Sequence, residues 1–227
     1  MRVRAALSYG NGKGRHTIHR HRPVSISTLK AYRSSTMELE RLPKLIAFDL
    51  DATLWEPEMY LLSGPPFKVD PPNDQYLVDG SGERIELMGY SRQILLELAT
   101  DERWRGTTVA YVSRTDCIAW AKACLKLFKI SPGLVMHDVA LEKEIYPGCK
   151  CTHFQRLYER TGIKYEEMLF FDNERWNITD VAPMGVCSIY TPRGMTKEAW
   201  HSGLQAFSEA SKARGKGLKP QLAVMRF

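Results

Sequence analysis

Residues 44–53 read Lys-Leu-Ile-Ala-Phe-Asp-Leu-Asp-Ala-Thr. An apolar run typical of a buried strand ends in two acids, Asp49 and Asp51, and then a hydroxyl, Thr53. Side chains two residues apart on an extended chain point to the same side, so we expect both carboxylates in one pocket. A single acid after a strand often caps a helix or forms a turn, but the whole Asp-x-Asp-x-Thr pattern favours catalysis.

Two crowded carboxylates repel each other unless they share a proton or a cation. A hard divalent ion such as Mg²⁺ binds carboxylate, water and phosphate oxygens, and it leaves one carboxylate free to react. Carboxylates also act as nucleophiles toward phosphorus. The stretch therefore predicts Mg²⁺-assisted chemistry at a phosphate group.

Short apolar runs alternate with helical periodicity from residue 44 onward, which predicts an α/β fold with parallel strands and crossover helices. The predicted strands cover 44–49, 107–112, 134–137, 168–171 and 186–190. The predicted helices cover 90–101, 115–128, 151–161, 175–182 and 196–209. We expect Thr115 to cap the second helix and Gly162 to end the third.

Residues 55–89 interrupt this rhythm with five prolines and a turn-like Asp-Gly-Ser-Gly-Glu segment. A β-hairpin that pairs 75–79 with 84–88 is expected there. In open α/β sheets the loop after the strand that carries the chemistry overhangs the binding crevice, so we expect this insertion to face the substrate. An inert Pro-rich excursion is the alternative.

Basic residues are concentrated at the two ends of the chain, whose formal net charge is +6. Residues 1–37 contain eight Lys or Arg and no acid, residues 210–227 contain five and no acid, and the part between them is acidic overall. This distribution argues against a nucleic-acid partner for the folded part. No apolar stretch reaches the roughly 20 residues of a membrane span, so no membrane partner is expected either.

The expected organisation is one catalytic domain over residues 38–209, a basic disordered extension over 1–37 and a basic disordered tail over 210–227. The extension has the composition of an organellar transit peptide, with a plain basic arm or translation from Met37 as alternatives. The expected location is cytoplasmic, or organellar if the extension is a transit peptide. A monomer is expected.

Polar residues follow two further predicted strands. Ser113 and Arg114 lie at a turn that opens a helix, where hydroxyl and N–H groups suit a phosphate. Asp172 and Asn173 supply a carboxylate and an amide oxygen for a metal. Because the carboxyl ends of parallel strands meet at one edge, we expect these residues to join the two acids of the first strand in one site.

A cation is also needed to neutralise phosphate charge. Lys150 follows Tyr-Pro-Gly-Cys at a turn entering a helix, and Lys143 is the rival candidate. Residue type and position do not decide between the two.

Four segments resemble the haloacid-dehalogenase superfamily and, within it, the magnesium-dependent phosphatase family. They are Phe-Asp-Leu-Asp-Ala-Thr-Leu-Trp at 48–55, Ser-Arg-Thr at 113–115, Tyr-Pro-Gly-Cys-Lys at 146–150 and Phe-Phe-Asp-Asn-Glu at 170–174. The match covers residues 43–207, and the motifs occur in the family's order. The resemblance implies a Rossmann-like three-layer sheet, with a small hairpin insertion in place of a large cap.

The resemblance also implies an aspartyl-phosphate mechanism in which Asp49 attacks phosphorus and Asp51 acts as general acid and base. It implies Mg²⁺ binding by Asp49, the backbone carbonyl of Asp51, Asp172 and Asn173. It implies phosphate binding by Ser113, Arg114 and Lys150, which favours Lys150 over Lys143, and it gives Thr53 a supporting role in the loop.

Asn173 departs from the family pattern, because many members have a second acid at this position. The amide removes one negative charge, which is expected to weaken Mg²⁺ binding while retaining activity. The implied substrates are phosphotyrosine-like groups or sugar phosphates, carried on a phosphoprotein or a small molecule. A phosphotransferase or mutase with the same intermediate, and a non-catalytic Mg²⁺ or phosphate-binding module, are the alternatives.

Three other residues invite a functional interpretation. Trp55 either stacks on a substrate or anchors the acidic loop. Asn177 and Asp180 are expected on the ordinary surface of a helix rather than beside the metal loop.

Overall fold

The computed structural model describes residues 41–71 and 73–217, and all structural statements refer to these residues. The expected extension over 1–37 and the end of the expected tail, 218–227, lie outside them.

The described strands build a five-stranded parallel sheet, a four-stranded antiparallel sheet and a two-stranded antiparallel pair. The strands are β1 Leu45–Phe48, β2 Trp55–Glu56, β3 Lys68–Val69, β4 Tyr76–Val78, β5 Arg84–Leu87, β6 Thr108–Ser113, β7 Lys129–Ser131, β8 Leu134–Val135, β9 Glu142–Ile145, β10 Met168–Asp172 and β11 Cys187–Tyr190. The parallel sheet has the order β11-β10-β1-β6-β9. The chain leaves β1 toward one edge and returns to β10 on its other side, which creates the switch point where ligands bind in such sheets.

Six α-helices connect or flank these strands in the described part of the chain. They are α1 Ser91–Thr100, α2 Ile118–Leu127, α3 Met136–Val139, α4 Lys150–Thr161, α5 Arg175–Val181 and α6 Lys197–Gly215. None of the helices in the described ranges is long and apolar enough to cross a membrane.

Every residue of β1 is buried, because helices cover both faces of the parallel sheet. Ile46 and Phe48 face a core that includes residues of α1, α2 and α6. Leu45 and Ala47 face a second core that includes residues of α4 and α5. The predicted three-layer α/β fold is therefore confirmed.

Three local predictions were wrong. The expected strand over 134–137 contains only the short β8, after which the chain turns into α3, and β9 supplies the fifth strand of the parallel sheet. Thr115 does not cap α2, because the helix begins at Ile118, although the Thr115 hydroxyl accepts the Cys117 N–H at 3.2 Å. The helix expected to end at 209 continues to Gly215, so the start of the expected disordered tail is helical.

The insertion forms its own small sheet. The expected hairpin is confirmed as β4 paired antiparallel with β5, and β2 and β3 extend it to the order β2-β5-β4-β3. Asp79 organises the turn between the hairpin strands, because its carboxylate accepts N–H bonds from Ser63, Ser81 and Glu83 at 2.7–2.9 Å.

Candidate active site

The acidic loop begins where β1 ends. The Asp49 N–H donates to the Phe171 carbonyl at 3.0 Å, so the pairing with β10 continues one residue beyond the strand. The chain then turns sharply, since the Leu50 carbonyl accepts the N–H groups of Thr53, Leu54 and Trp55. Ala52, at φ 55°, lies in the left-handed region that favours glycine.

Asp51 is held in one orientation by the same loop. Its Oδ1 atom accepts a 2.7 Å hydrogen bond from the Trp55 indole N–H and a 3.1 Å bond from the Met59 N–H. Both donors use the same oxygen, so they fix the carboxyl group without using Oδ2. Trp55 is fully buried and stacks on Phe128. Of its two predicted roles, the structure therefore supports anchoring of the loop.

Lys150 connects the acidic loop with β10. It opens α4, its side chain is 1% exposed, and its Nζ lies 2.5 Å from Asp49 Oδ1 and 3.2 Å from Asp172 Oδ2. The same ammonium donates to the Val112 carbonyl at the end of β6. Lys143, the rival candidate, instead donates to the Ala140 carbonyl.

Asp172, at the end of β10, is fully buried and clamped from one side. Asn177 donates its amide N–H groups to both carboxylate oxygens at 3.1 and 3.0 Å, and the Glu174 N–H donates at 2.7 Å. The expectation that Asn177 lies on the ordinary helix surface was wrong, because its side chain is buried against Asp172. Sequence reasoning missed this role because the signal, an amide five residues after a strand-end acid, is weak.

Asn173 and Thr53 join the two loops that contain the acids. The Thr53 hydroxyl accepts the Asn173 N–H at 3.0 Å and donates to the Asn173 side-chain carbonyl at 3.1 Å. This reciprocal pair agrees with the supporting role expected for Thr53.

Ser113 and Arg114 complete the edge of the site. Ser113 is buried at the end of β6, and its hydroxyl accepts the Thr115 N–H at 3.2 Å. Arg114 is exposed, and its guanidinium donates to the Asn177 side-chain carbonyl at 3.1 Å. Below them, the buried His153 ring contacts the Ser113 and Tyr146 carbonyls at 3.1 and 3.0 Å, which fixes the turn.

These side chains surround a cleft of about 230 Å³. The structure brings together Asp49, Asp51, Ser113, Arg114 and Asn173 as lining residues, while Lys150 and Asp172 lie buried behind them. The cleft is also lined by Glu58, Thr115, Glu174, Trp176 and Asn177.

Burial dominates the electrostatics of the site. It raises the pKa of Asp49 to about 8, an effect that the Lys150 ammonium opposes and Asp172 reinforces. Burial also raises the pKa of Asp51, while the Trp55 and Met59 hydrogen bonds oppose it. The pKa of Lys150 is raised, because Asp49 and Asp172 outweigh the effect of its burial. For Asp51, a raised pKa favours the proton-transfer role that the resemblance implies.

Comparisons with known proteins agree with this geometry. The Acid Phosphatase family profile matches residues 41–210. The chain is 38% identical over 172 residues to human magnesium-dependent phosphatase 1, across 76% of this chain and 91% of that protein. It is 32% identical over 150 residues to a HAD-like hydrolase superfamily protein of Schizosaccharomyces pombe, across 63% of this chain and 83% of that protein.

Solved structures show the same fold at low sequence identity. A haloacid dehalogenase-like family hydrolase from Xanthomonas campestris superposes with a TM-score of 0.52 at 15% identity, covering 77% of this chain and 99% of that one.

Proposed function

Because the chain belongs to the Acid Phosphatase family, we propose that it is a Mg²⁺-dependent phosphatase that hydrolyses phosphomonoesters through an aspartyl-phosphate on Asp49. The observation that carries the proposal is the convergence of Asp49, Asp172 and Lys150 at the ends of two adjacent strands and a helix start. Phosphoryl transfer depends on such positioning and charge neutralisation.

The oxygen ligands that the site offers fit Mg²⁺. Asp49 and Asp172 contact the same Lys150 ammonium, so their carboxylates face one shared point of positive charge. Among the residues that the structure describes, no cluster of three His, Cys, Asp or Glu side chains forms a metal site. Mg²⁺ needs no such cluster, because it is bound by one or two carboxylates, with waters and phosphate oxygens completing its shell.

We assign the metal ligands to Asp49, Asp172, the backbone carbonyl of Asp51 and the amide oxygen of Asn173. When bound, the ion neutralises charge on the phosphoryl group and on the carboxylates. Asn177 keeps Asp172 oriented for this role by donating to both of its oxygens.

The two loop acids have distinct chemical environments. Asp49 attacks phosphorus with the carboxylate that Lys150 contacts. Asp51, held through Oδ1 by Trp55 and Met59, protonates the leaving oxygen and then takes a proton from the attacking water. Burial raises the pKa of Asp51, which favours the protonated form that the first of these steps requires.

Three residues supply donors for the phosphoryl oxygens. Ser113 supplies a hydroxyl at the end of β6, Lys150 supplies a buried ammonium, and Arg114 supplies a guanidinium at the opening. A bound phosphomonoester thereby receives hydrogen-bond donors from these three residues, as electrostatic stabilisation requires. Phosphotyrosine-like groups and sugar phosphates are the substrate classes we propose, on a phosphoprotein or a small molecule.

The test is release of inorganic phosphate from p-nitrophenyl phosphate by the full chain, with Mg²⁺ or with EDTA. We expect Mg²⁺-dependent release of phosphate. Asp49→Asn should reduce its rate by at least about a thousandfold, because removal of a catalytic nucleophile inactivates an enzyme almost completely. An unimpaired Asp49→Asn variant would refute the mechanism. Release of free phosphate, rather than a phosphorylated acceptor, separates hydrolysis from phosphotransfer.

A further inference from the structure

One wall of the cleft contains a large aromatic side chain that the proposed reaction does not use. Trp176 lies on α5, four residues after Asp172, and it lines the cleft while 56% exposed. Isolated exposed aromatics are common on protein surfaces, so exposure alone means little. The position of this indole in the wall of the candidate active site places it beside a bound substrate.

The surroundings of Trp176 are acidic. Glu58 and Glu174 line the same cleft, and neither forms an ion pair with any residue of the described part of the chain. Arg114 is the basic residue of the described lining, and its guanidinium is bonded to Asn177. Arg114 also attracts Glu174, but two glutamates face this one guanidinium in the described lining, so the mouth of the cleft keeps a negative charge.

Three kinds of leaving group use these features differently. A neutral aromatic group stacks on the indole but gains nothing from the two carboxylates. A group with a second phosphate or a carboxylate is repelled by both. A positively charged ammonium group is attracted by the face of the indole and by both carboxylates, so it uses all three side chains.

We propose that this cleft selects phosphomonoesters whose alcohol carries an ammonium group, with Trp176 contacting the cation and Glu58 and Glu174 attracting it. The inference rests on the proposed phosphatase function and names the substrate class of that site. It makes Trp176 a specificity-determining residue.

The primary test is equilibrium binding, because an ammonium group also makes an alcohol a better leaving group and would raise the rate by itself. Phosphocholine and its neutral isostere 3,3-dimethylbutyl phosphate are titrated by calorimetry into the full-length Asp49→Asn variant with Mg²⁺. We expect phosphocholine to bind about 3- to 30-fold more tightly, the range of a cation over an indole ring. Equal affinities, or no binding of either compound at millimolar concentration, overturn the proposal.

Variants then identify the residues responsible. In the same Asp49→Asn background, Trp176→Leu is expected to reduce the affinity ratio toward one, and Trp176→Phe to retain part of it. Glu58→Gln and Glu174→Gln should each lower the ratio about two- to fivefold, as expected for partly exposed charges. A ratio that Trp176→Leu leaves unchanged overturns the assignment.

Matched controls come from α4, away from the cleft. Tyr158 is an exposed aromatic residue and Glu159 an exposed acid. Tyr158→Leu and Glu159→Gln should leave the affinity ratio unchanged. Turnover of p-nitrophenyl phosphate by the unmodified chain tests the phosphatase function separately, so a failure of either idea is distinguishable from a failure of the other.

Discussion

Replacing Lys150 with Met removes the buried ammonium and keeps most of the side-chain volume. The ammonium contacts Asp49, Asp172 and the Val112 carbonyl, and its side chain is 1% exposed. Removing one partner of a buried ion pair destabilises a protein by about 3–5 kcal/mol, because the other charge stays buried without compensation. For a chain of this size the loss corresponds to a fall in Tm of roughly 6–20 °C.

The assay is thermal and urea unfolding of the full chain at pH 9, where Asp49 is ionised, in EDTA, so that no divalent ion replaces the ammonium. Lys143→Met is the matched control, since Lys143 is only half-buried and donates to a carbonyl rather than to a carboxylate. We expect the control to change the free energy of unfolding by less than about 1 kcal/mol.

Added Mg²⁺ should raise the Tm of Lys150→Met more than that of the wild type, because it neutralises carboxylates that the variant leaves unpaired. A Lys150→Met variant that unfolds in EDTA within about 1 kcal/mol of the wild type would refute the view that this ammonium compensates the buried acids.

Three further outcomes are expected. Asn177→Ala should raise the Mg²⁺ concentration for half-maximal phosphate release by about 10- to 100-fold, because Asp172 loses the amide that orients it. Burial raises the pKa of Asp49 to about 8, so in EDTA this group binds an extra proton in the native state between about pH 4 and pH 8, and its contribution to stability falls as pH rises through this window. Asp49→Asn should therefore gain stability relative to the wild type from pH 5 to pH 8, by at most about 1.4 kcal/mol per pH unit in denaturant titrations. Gly203→Ala should destabilise the fold by about 1–2 kcal/mol in urea unfolding despite the better helix propensity of Ala, because its Cβ would lie 2.5 Å from Phe171 Cε1.

Each of these outcomes has a control or a contradicting result. Asp180→Ala, on the exposed face of the same helix as Asn177, should leave the Mg²⁺ requirement unchanged. An Asp49→Asn variant that gains no stability relative to the wild type between pH 5 and pH 8 would contradict the raised pKa of Asp49. Gly215→Ala, where a Cβ meets no atom within 4 Å, should be neutral or stabilising, in contrast to Gly203→Ala.

The central strands were predictable because their signal is local. Leu45–Phe48 is a continuous apolar run, as is expected for a parallel strand with helices on both faces. The edge strand Glu142–Ile145 was missed because its sequence is Glu-Lys-Glu-Ile. Its two glutamates are buried only because Arg160, from α4, pairs with both at 2.9 and 3.2 Å. A sequence window around the strand does not contain that partner.

Part of the candidate site was likewise predictable from local sequence, and part depends on contacts between distant residues. The strand-end positions of Asp49, Ser113 and Asp172 follow from sequence patterns, and the structure places all three at one edge of the sheet. Whether Lys150 or Lys143 reaches them depends on how the turn before α4 packs, a contact across about a hundred residues. The clamp by Asn177 also depends on the direction in which a short helix leaves the sheet, which residue type does not specify.

The arrangement of β9 has a consequence for the behaviour of the protein in a crowded solution. An edge strand with unpaired backbone groups is a template on which another chain can add a strand, and long apolar edges aggregate. On this edge Glu142 and Glu144 are drawn inward by Arg160, and Lys143 lies between them. A chain that adds a strand at this edge pairs with only four residues and lies beside their charged side chains. Short edge strands and inward-pointing charges oppose such pairing. The charged residues that made this strand hard to predict therefore also disfavour aggregation.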